Sequence, residues 1–224
     1  IERYFNINNI DVILNCTAYT NVDKAEEEKI IARRINSLAI GELAKISARK
    51  NIKLIHISTD HVFDGDLNRP YNENDKTCPL NIYGKTKLEG ENAILKSLPL
   101  NGLIIRTSWL YSEYRKNFVK TMLDLSREKK ELNIVSDQYS TPTYCSDLAK
   151  VVIDIIEDDS FQKNNKTQIF HYSNNGISSW YGFTKKIFEL AEIDCKINPI
   201  KATEFYRAAV IPKNTLLSKD KIIK

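Results

Sequence analysis

Tyr83 and Lys87 are the residues of this chain whose types and spacing most suggest chemistry. Residues four positions apart share one face of a helix, so a helix here would place the phenol beside the ammonium. A free tyrosine has a pKa of about 10, and a nearby cation lowers that pKa by favouring the phenolate. The hydroxyl of Thr59, at the end of a preceding strand, could complete a cluster that passes a proton to a carbonyl. The cluster predicts an enzyme that reduces or oxidises a C–O centre.

The surrounding elements decide between this chemistry and a plainer interpretation, in which Tyr83 is half-buried at a helix start and Lys87 is solvated. Apolar runs predict strands at residues 11–16, 53–58, 103–107, 132–135 and 168–172. Helical patterns lie between them, and Asp23 can cap the first, long one. Strands that alternate with helices predict an α/β fold with a parallel sheet covered on both faces.

Polar segments follow three of the predicted strands, at residues 16–20, 58–60 and 107–109. Ligands of parallel sheets bind outside the carboxyl ends of the strands. The rule places all three segments at one crevice, although the first polar residues after any strand look similar.

Composition excludes several classes of function. Hydrophobic residues make up 42% and charged residues 28%, as in ordinary globular proteins, and the net charge of +4 is spread along the chain. Nucleic-acid binding therefore has little support, and no apolar run reaches the roughly 20 residues that span a membrane. Four scattered cysteines without Cys-x-x-Cys, and three scattered histidines, form no metal pattern. We expect a cytoplasmic protein.

A glycine-rich phosphate loop is missing from the chain. A dinucleotide-binding sheet normally opens with a strand, a Gly-x-Gly-x-x-Gly turn and a helix. The chain has seven glycines, and none forms this motif or a near variant. We therefore expect a fragment that lacks an N-terminal βαβ unit.

Six motifs give the chain a family resemblance. They are residues 15–26 (NCTAYTNVDKAE), 58–65 (STDHVFDG), 79–87 (PLNIYGKTK), 106–111 (RTSWLY), 137–143 (DQYSTPT) and 179–181 (SWY). With these motifs the chain resembles the extended short-chain dehydrogenase/reductases and, more narrowly, the dTDP-4-dehydrorhamnose reductases. The resemblance implies a Rossmann-like doubly wound sheet, and it implies that the chain lacks a C-terminal end as well as the N-terminal βαβ unit. Residues 1–135 would form the dinucleotide-binding region, and residues 136–224 mainly a smaller substrate-binding region with some elements returning to the sheet.

The resemblance also implies roles for single residues. Tyr83 would be the proton donor, and Lys87 its partner and a ligand of the cofactor ribose. Thr59, as a further catalytic residue, and Asp60 would contact the sugar. The remaining implied contacts are Ala18, Tyr19 and Thr20 on the cofactor and Trp109 on the sugar nucleotide. The cofactor would be NADPH or NADH, and a Mg²⁺-linked homodimer, known in the family, has no marker in this sequence.

Several of these residues have a rival interpretation. Trp109 could be a core or subunit contact, and Asp60 could bond nearby backbone N–H groups in a turn. Residues 18–20 could be an ordinary strand-to-helix turn. Two positions depart from the family pattern: His61 stands where tyrosine is usual, and Ile211 stands where an arginine near the nucleotide is usual. We expect the first to tune activity and the second to affect recognition of the nucleotide.

Three functions remain after the sequence has been considered. The first is reduction of C4 of a dTDP-4-dehydro-6-deoxysugar to dTDP-L-rhamnose. The second is another sugar-nucleotide reductase or an epimerase of the extended family. The third is a non-catalytic regulatory subunit, against which the presence of both Tyr83 and Lys87 argues.

Overall fold

The computed structural model describes residues 4–5, 8–158, 161 and 166–223, and a parallel sheet lies at its centre. The strands are β1 (Val12–Asn15), β2 (Lys53–Thr59), β3 (Gly102–Thr107), β4 (Leu110–Tyr111), β5 (Glu131–Val135), β6 (Tyr139–Ser140), β7 (Thr143–Tyr144), β8 (Gln168–His171), β9 (Ser178–Ser179) and β10 (Lys196–Ile200). The main sheet has the order β1-β2-β3-β8, and each neighbouring pair is parallel. The predicted α/β fold with a parallel sheet is confirmed.

Helices cover both faces of this sheet. They include α1 (Val22–Glu27), α2 (Lys29–Arg33), α3 (Ala39–Lys50), α4 (Ile82–Ser97), α5 (Phe118–Glu128), α6 (Cys145–Glu157) and α7 (Trp180–Leu190). On one face α3 and α4 bury Ile40, Ala44 and Ile94 against the sheet. On the other face α6 buries Leu148 and Val152. Among the described residues, no helix combines the length and apolarity that a membrane crossing requires.

The first helical segment differs from the single long helix that the sequence predicts. It is divided into α1, α2 and α3, and a π-helical turn, Arg34–Leu38, lies between the last two. The cap is also different, because the side chain of Asn21 accepts the hydrogen bond from the backbone of Lys24. Asp23 lies inside the first turn, and its carboxylate pairs instead with Arg207 of the distant C-terminal segment.

A second, smaller layer packs beside the main sheet. The parallel pair β5 and β10 supports α5 and α7 through a shared apolar cluster that contains Met122, Ile134, Ile187 and Phe188. The helix α5 and the strand β5 therefore pack with the C-terminal elements, while β8 returns to the main sheet. The division of the chain at residue 135 stays a prediction.

Helix α4 approaches the π turn so closely that glycine is required at position 90. A Cβ atom at Gly90 would lie 2.2 Å from the backbone carbonyl oxygen of Asn36. Gly41 in α3 also faces α4, but a Cβ there would lie 3.4 Å from the Cβ of Ala93, which is ordinary contact. A side chain is therefore excluded at position 90 and has room at position 41, although both glycines lie inside helices.

We predict that Gly90→Ala destabilises the protein by about 1–3 kcal/mol, because the added methyl group forces two backbones apart. Gly41→Ala is the matched control. It should leave stability unchanged or raise it by up to about 1 kcal/mol, since alanine favours the helix. Urea unfolding followed by circular dichroism measures both. Equal midpoints for the two variants would show that the approach of α4 to the π turn is not tight.

Candidate active site

The start of α4 packs closely against the end of β2. The side chain of Asn81 caps the helix by accepting from the backbone N–H of Gly84 at 2.8 Å. A Cβ at Gly84 would lie 2.2 Å from the carbonyl oxygen of His61, so the helix rests directly on the turn that follows β2. This contact brings Tyr83, in the first turn of α4, to the carboxyl end of the main sheet, where parallel sheets bind ligands.

Three side chains at four-residue intervals on α4 each bond to β2. The hydroxyl of Tyr83 is hydrogen-bonded to Thr59. The amino group of Lys87 donates to the backbone carbonyl oxygen of Ile57 at 2.7 Å. The carboxylate of Glu91 accepts from the hydroxyl of Ser58. We call Tyr83, Lys87 and Glu91 the α4 stripe.

Tyr83 is held as a neutral phenol. Burial and the nearby charge of Asp60 raise its pKa to about 12, and the hydrogen bond between Tyr83 and Thr59 opposes this rise. Burial lowers the pKa of Lys87 to about 8, against the attraction of Glu91. The plainer interpretation of a solvated lysine is wrong, since Lys87 is 1% exposed. The expected lowering of the pKa of Tyr83 is therefore not found in the chain by itself. The phenol keeps its proton, which it can give to a ligand.

Asp60 lies at the bottom of the site and forms hydrogen bonds with segments that are distant in the sequence. It is 2% exposed, and its carboxylate accepts from the hydroxyls of Thr59, Ser140 and Thr215. These bonds reach the C-terminal segment, so Asp60 does more than form a local turn. They also orient Thr59 beside Tyr83.

A cleft of about 370 Å³ opens above these groups. It brings together five of the residues that the sequence singles out: Thr20, Thr59, Asp60, Tyr83 and Trp109. Lys87 lies buried beneath the cleft, and Ala18 and Tyr19 are not part of its lining. The cleft also contains Thr107, which belongs to the polar segment 107–109 expected at the crevice but was given no role of its own. The hydroxyl of Thr107 is buried and has no hydrogen-bond partner in the described part of the chain, which leaves it available to a ligand.

Trp109 forms one wall of this cleft through contacts with the second layer. Its ring stacks on Trp180 with the centroids 3.5 Å apart and the planes at 11°. Its backbone has a φ of 44°, in the left-handed region that a bulky residue seldom adopts. Such strain persists where the surroundings impose it, often at a ligand site. Trp180 starts α7, and it also lines the cleft.

His61 packs against the ring of Tyr83. The two ring centroids are 5.5 Å apart and the planes stand at 77°, an edge-to-face contact. Burial lowers the pKa of His61, while Asp60 opposes that shift. A neutral imidazole therefore stands where the family usually has tyrosine, and it supports the phenol as an aromatic neighbour.

The loop at residues 18–20 is held by a residue that the sequence did not reveal. Asn36, in the π turn, accepts from the backbone N–H of Tyr19 at 2.8 Å and donates to its carbonyl oxygen at 3.1 Å. It also donates to the hydroxyl of Thr86 in α4 at 3.1 Å. Asn36 is fully buried. The sequence offered no signal for it, because the apolar residues of this segment's helical pattern, such as Ile30 and Leu38, lie on the exposed side.

A second cleft, of about 720 Å³, adjoins the first. Both clefts are lined by Trp180 and Arg207. The larger one is mostly apolar, with Phe118, Leu125 and Phe205 among its walls. Arg207 is paired with Asp23 at 3.0 Å and is the cation at the junction of the two clefts. Ile211, where the family has arginine, lines only the smaller cleft.

Beneath the site, a buried ion pair joins α4 to β3 and β8. The guanidinium of Arg106 donates to the carboxylate of Glu91 at 2.7 Å and lies 3.5 Å from Nε2 of His171. Nδ1 of His171 faces the carbonyl oxygen of Tyr71 at 3.1 Å, so Nδ1 carries the proton and Nε2 accepts from Arg106. Burial, followed by the charge of Arg106, lowers the pKa of His171 to about 3.

The comparisons with known proteins agree with this geometry. A family model described as RmlD substrate binding domain matches residues 1–224. The dTDP-4-dehydrorhamnose reductase of Sinorhizobium fredii is 41% identical over 217 residues, which are 95% of this chain and 73% of that protein. The corresponding protein of Escherichia coli is 37% identical, over 94% of this chain and 72% of that protein.

A solved structure gives the same result. The dTDP-4-dehydrorhamnose reductase of Bacillus anthracis, in complex with NADP, has a TM-score of 0.93 and 37% identity. The match covers 99% of this chain and 76% of that one. The family resemblance and the Rossmann-like fold expected from the motifs are confirmed.

We predict that His171 makes the protein less stable in mild acid. Its pKa is about 3 in the folded chain, against the 6.5 of an ordinary histidine, so the unfolded chain binds the extra proton. Stability is therefore complete above pH 6.5 and is lost as the pH falls towards 3. Between pH 7 and 5 the wild type should lose about 2 kcal/mol more than His171→Gln, measured by urea unfolding. Parallel losses in both proteins would contradict a neutral, buried His171.

Proposed function

The chain belongs to the RmlD substrate binding domain family, and we propose that it reduces the C4 ketone of dTDP-4-dehydro-6-deoxy-L-mannose to dTDP-L-rhamnose. The observation that carries this proposal is the phenol of Tyr83, held protonated beside Thr59 in the smaller cleft. The names of the relatives, dTDP-4-dehydrorhamnose reductases, support the same substrate.

The proton chemistry follows from the α4 stripe. As the ketone accepts a hydride, its oxygen becomes an alkoxide, and Tyr83 gives that oxygen its proton. The hydroxyl of Thr59 donates to the carboxylate of Asp60 at 3.1 Å, and it can rotate to donate to the substrate oxygen instead. A positioned acid of this kind contributes about 10²–10⁴-fold to the rate. The raised pKa keeps the proton on Tyr83 at neutral pH, and an alkoxide is a strong enough base to take it.

The residues present fit a nicotinamide nucleotide. The loop at residues 18–20 lies at the carboxyl end of β1, and Asn36 fixes its backbone. The carbonyl of Ile57 takes one N–H of Lys87, which leaves further donors for a ribose hydroxyl. We propose that these residues hold NADPH or NADH, which when bound supplies the hydride. Within the described ranges, no group of three His, Cys, Asp or Glu side chains could hold a metal ion.

The two clefts suggest where each part of the substrate binds. We propose that the sugar occupies the smaller cleft, against Trp109 and the free hydroxyl of Thr107. The thymidine would then enter the larger, apolar cleft. The diphosphate between them would meet Arg207, which supplies the charge that Ile211 lacks. By family likeness we also propose a cytoplasmic location, and a homodimer stays a prediction.

We predict that Tyr83→Phe lowers kcat by about 10²–10⁴-fold, because the variant keeps the ring but loses the acid. Affinity for NADPH should change less than threefold. The assay is NADPH oxidation with dTDP-4-dehydro-6-deoxy-L-mannose, and Tyr114→Phe, at a tyrosine 72% exposed, is the control.

Near-normal turnover in Tyr83→Phe would contradict the role of the phenol. Substrate conversion without NADPH consumption would instead indicate an epimerase. Nucleotide binding without any conversion would indicate a regulatory subunit.

A further inference from the structure

A buried chain of three polar side chains lies behind Lys87, outside the proton path described above. Asn15 and His56 are register partners on β1 and β2. The side-chain amide nitrogen of Asn15 lies 2.7 Å from Nδ1 of His56. On the other side of the ring, Nε2 of His56 lies 3.2 Å from the amino group of Lys87. His56 is fully buried, and Asn15 and Lys87 are 6% and 1% exposed.

The amide of Asn15 can point in one direction only. Its oxygen accepts from the backbone N–H of Thr17 at 3.3 Å and from the hydroxyl of Thr17 at 2.7 Å. A backbone N–H is a donor and never an acceptor. The oxygen of Asn15 must therefore face Thr17, which leaves its NH₂ group facing His56.

This orientation sets the tautomer of His56. The NH₂ of Asn15 donates to Nδ1, so Nδ1 carries no proton and the neutral ring is protonated at Nε2. The Nε2–H group then points at Lys87. An amine offers a lone pair to this donor, whereas an ammonium would set one N–H against another. Burial, followed by the charge of Lys87, lowers the pKa of His56 and keeps the ring neutral.

Other groups around Lys87 act in both directions. The carboxylate of Glu91 and the thiol of Cys16 favour the ammonium, whereas burial disfavours it. Burial prevails, and the pKa of Lys87 falls to about 8. The geometry at His56 acts in the same direction as burial, so the amine form of Lys87 is accessible near neutral pH.

We propose that Asn15 fixes His56 in the Nε2–H tautomer, and that His56 thereby acts as a positioning residue that stabilises the amine form of Lys87. This inference rests on the proposed reduction. Tyr83 gives its proton to the substrate oxygen and becomes a phenolate. Lys87, one helical turn away, returns a proton to the phenolate and becomes an amine, whose lone pair accepts from Nε2–H. Water then reprotonates the amine.

The tautomer can be measured without any activity. The chain contains three histidines, so long-range ¹H–¹⁵N correlation spectra of the labelled protein resolve each ring, and His61→Gln and His171→Gln assign them. We expect the proton of His56 on Nε2 in the wild type. A carboxylate at position 15 accepts and does not donate, so Asn15→Asp should move that proton to Nδ1. A wild-type ring protonated at Nδ1 would overturn the proposal, whatever the variant does.

A matched control is available at the other histidine of the site. The amide nitrogen of Asn81 lies 3.2 Å from Nδ1 of His61. Asn81→Asp keeps a side chain that can cap α4. It should change the spectrum of His61 and leave that of His56 unchanged. A change at His56 in this control would show that the spectra report general disturbance and would remove the support from Asn15→Asp.

The role in catalysis is tested by the pH dependence of kcat/KM. In Asn15→Asp the unprotonated Nε2 accepts from the ammonium of Lys87, which then holds its proton more tightly. We expect the basic limb to move up by about one pH unit and kcat to fall about tenfold. An unchanged pH profile in a variant with the switched tautomer would overturn the role. A wild type without turnover would count against the proposed reduction, while the spectra would still decide the tautomer.

Discussion

The close packing of α4 on the end of β2 is the constraint from which the site follows. Tyr83, Lys87 and Glu91 lie on one face of the helix, and each bonds to a residue near the end of the strand. A helix and a strand rise by different amounts per residue. Contacts between α4 and β2 can therefore form only over a short stretch, and only when helix and strand lie at the right distance. Gly84 sets that distance where α4 touches the turn after β2, and Gly90 allows an equally close approach of α4 to the π turn. The phenol is therefore placed by the backbone and does not depend on its own rotamer alone.

The same packing requires charges to be buried. Lys87, Glu91 and Arg106 are all almost inaccessible to water, which costs free energy that a well-packed apolar core would not. Glu91 and Arg106 pair with each other, and Arg106 also lies over the ring of Phe63 at 5.2 Å. A buried ion pair is weak evidence for stability. The pair of Arg106 and Glu91 is better explained by the way it positions α4. It fixes the lower end of the α4 stripe against β3.

Local patterns predicted the main sheet and the shared face of Tyr83 and Lys87, because strand and helix periodicities are properties of short segments. They did not predict contacts between segments far apart in the sequence. The bond from Thr215 to Asp60 and the stacking of Trp180 on Trp109 belong to this group. Asp23 was wrongly taken as a cap because its partner, Arg207, is equally remote. The π turn at Asn36 was missed since nothing local distinguishes it from a continuous helix.

The central claim is that the phenol of Tyr83 meets the oxygen at C4 of a 6-deoxysugar whose nucleotide lies beyond Arg207. A crystal structure with NADP⁺ and dTDP-L-rhamnose bound tests it most directly. The account predicts the C4 oxygen about 2.6–3.2 Å from the hydroxyl of Tyr83, the reach of a hydrogen bond, with the diphosphate at Arg207. A sugar outside the smaller cleft, or one that turns another oxygen towards Tyr83, would contradict it.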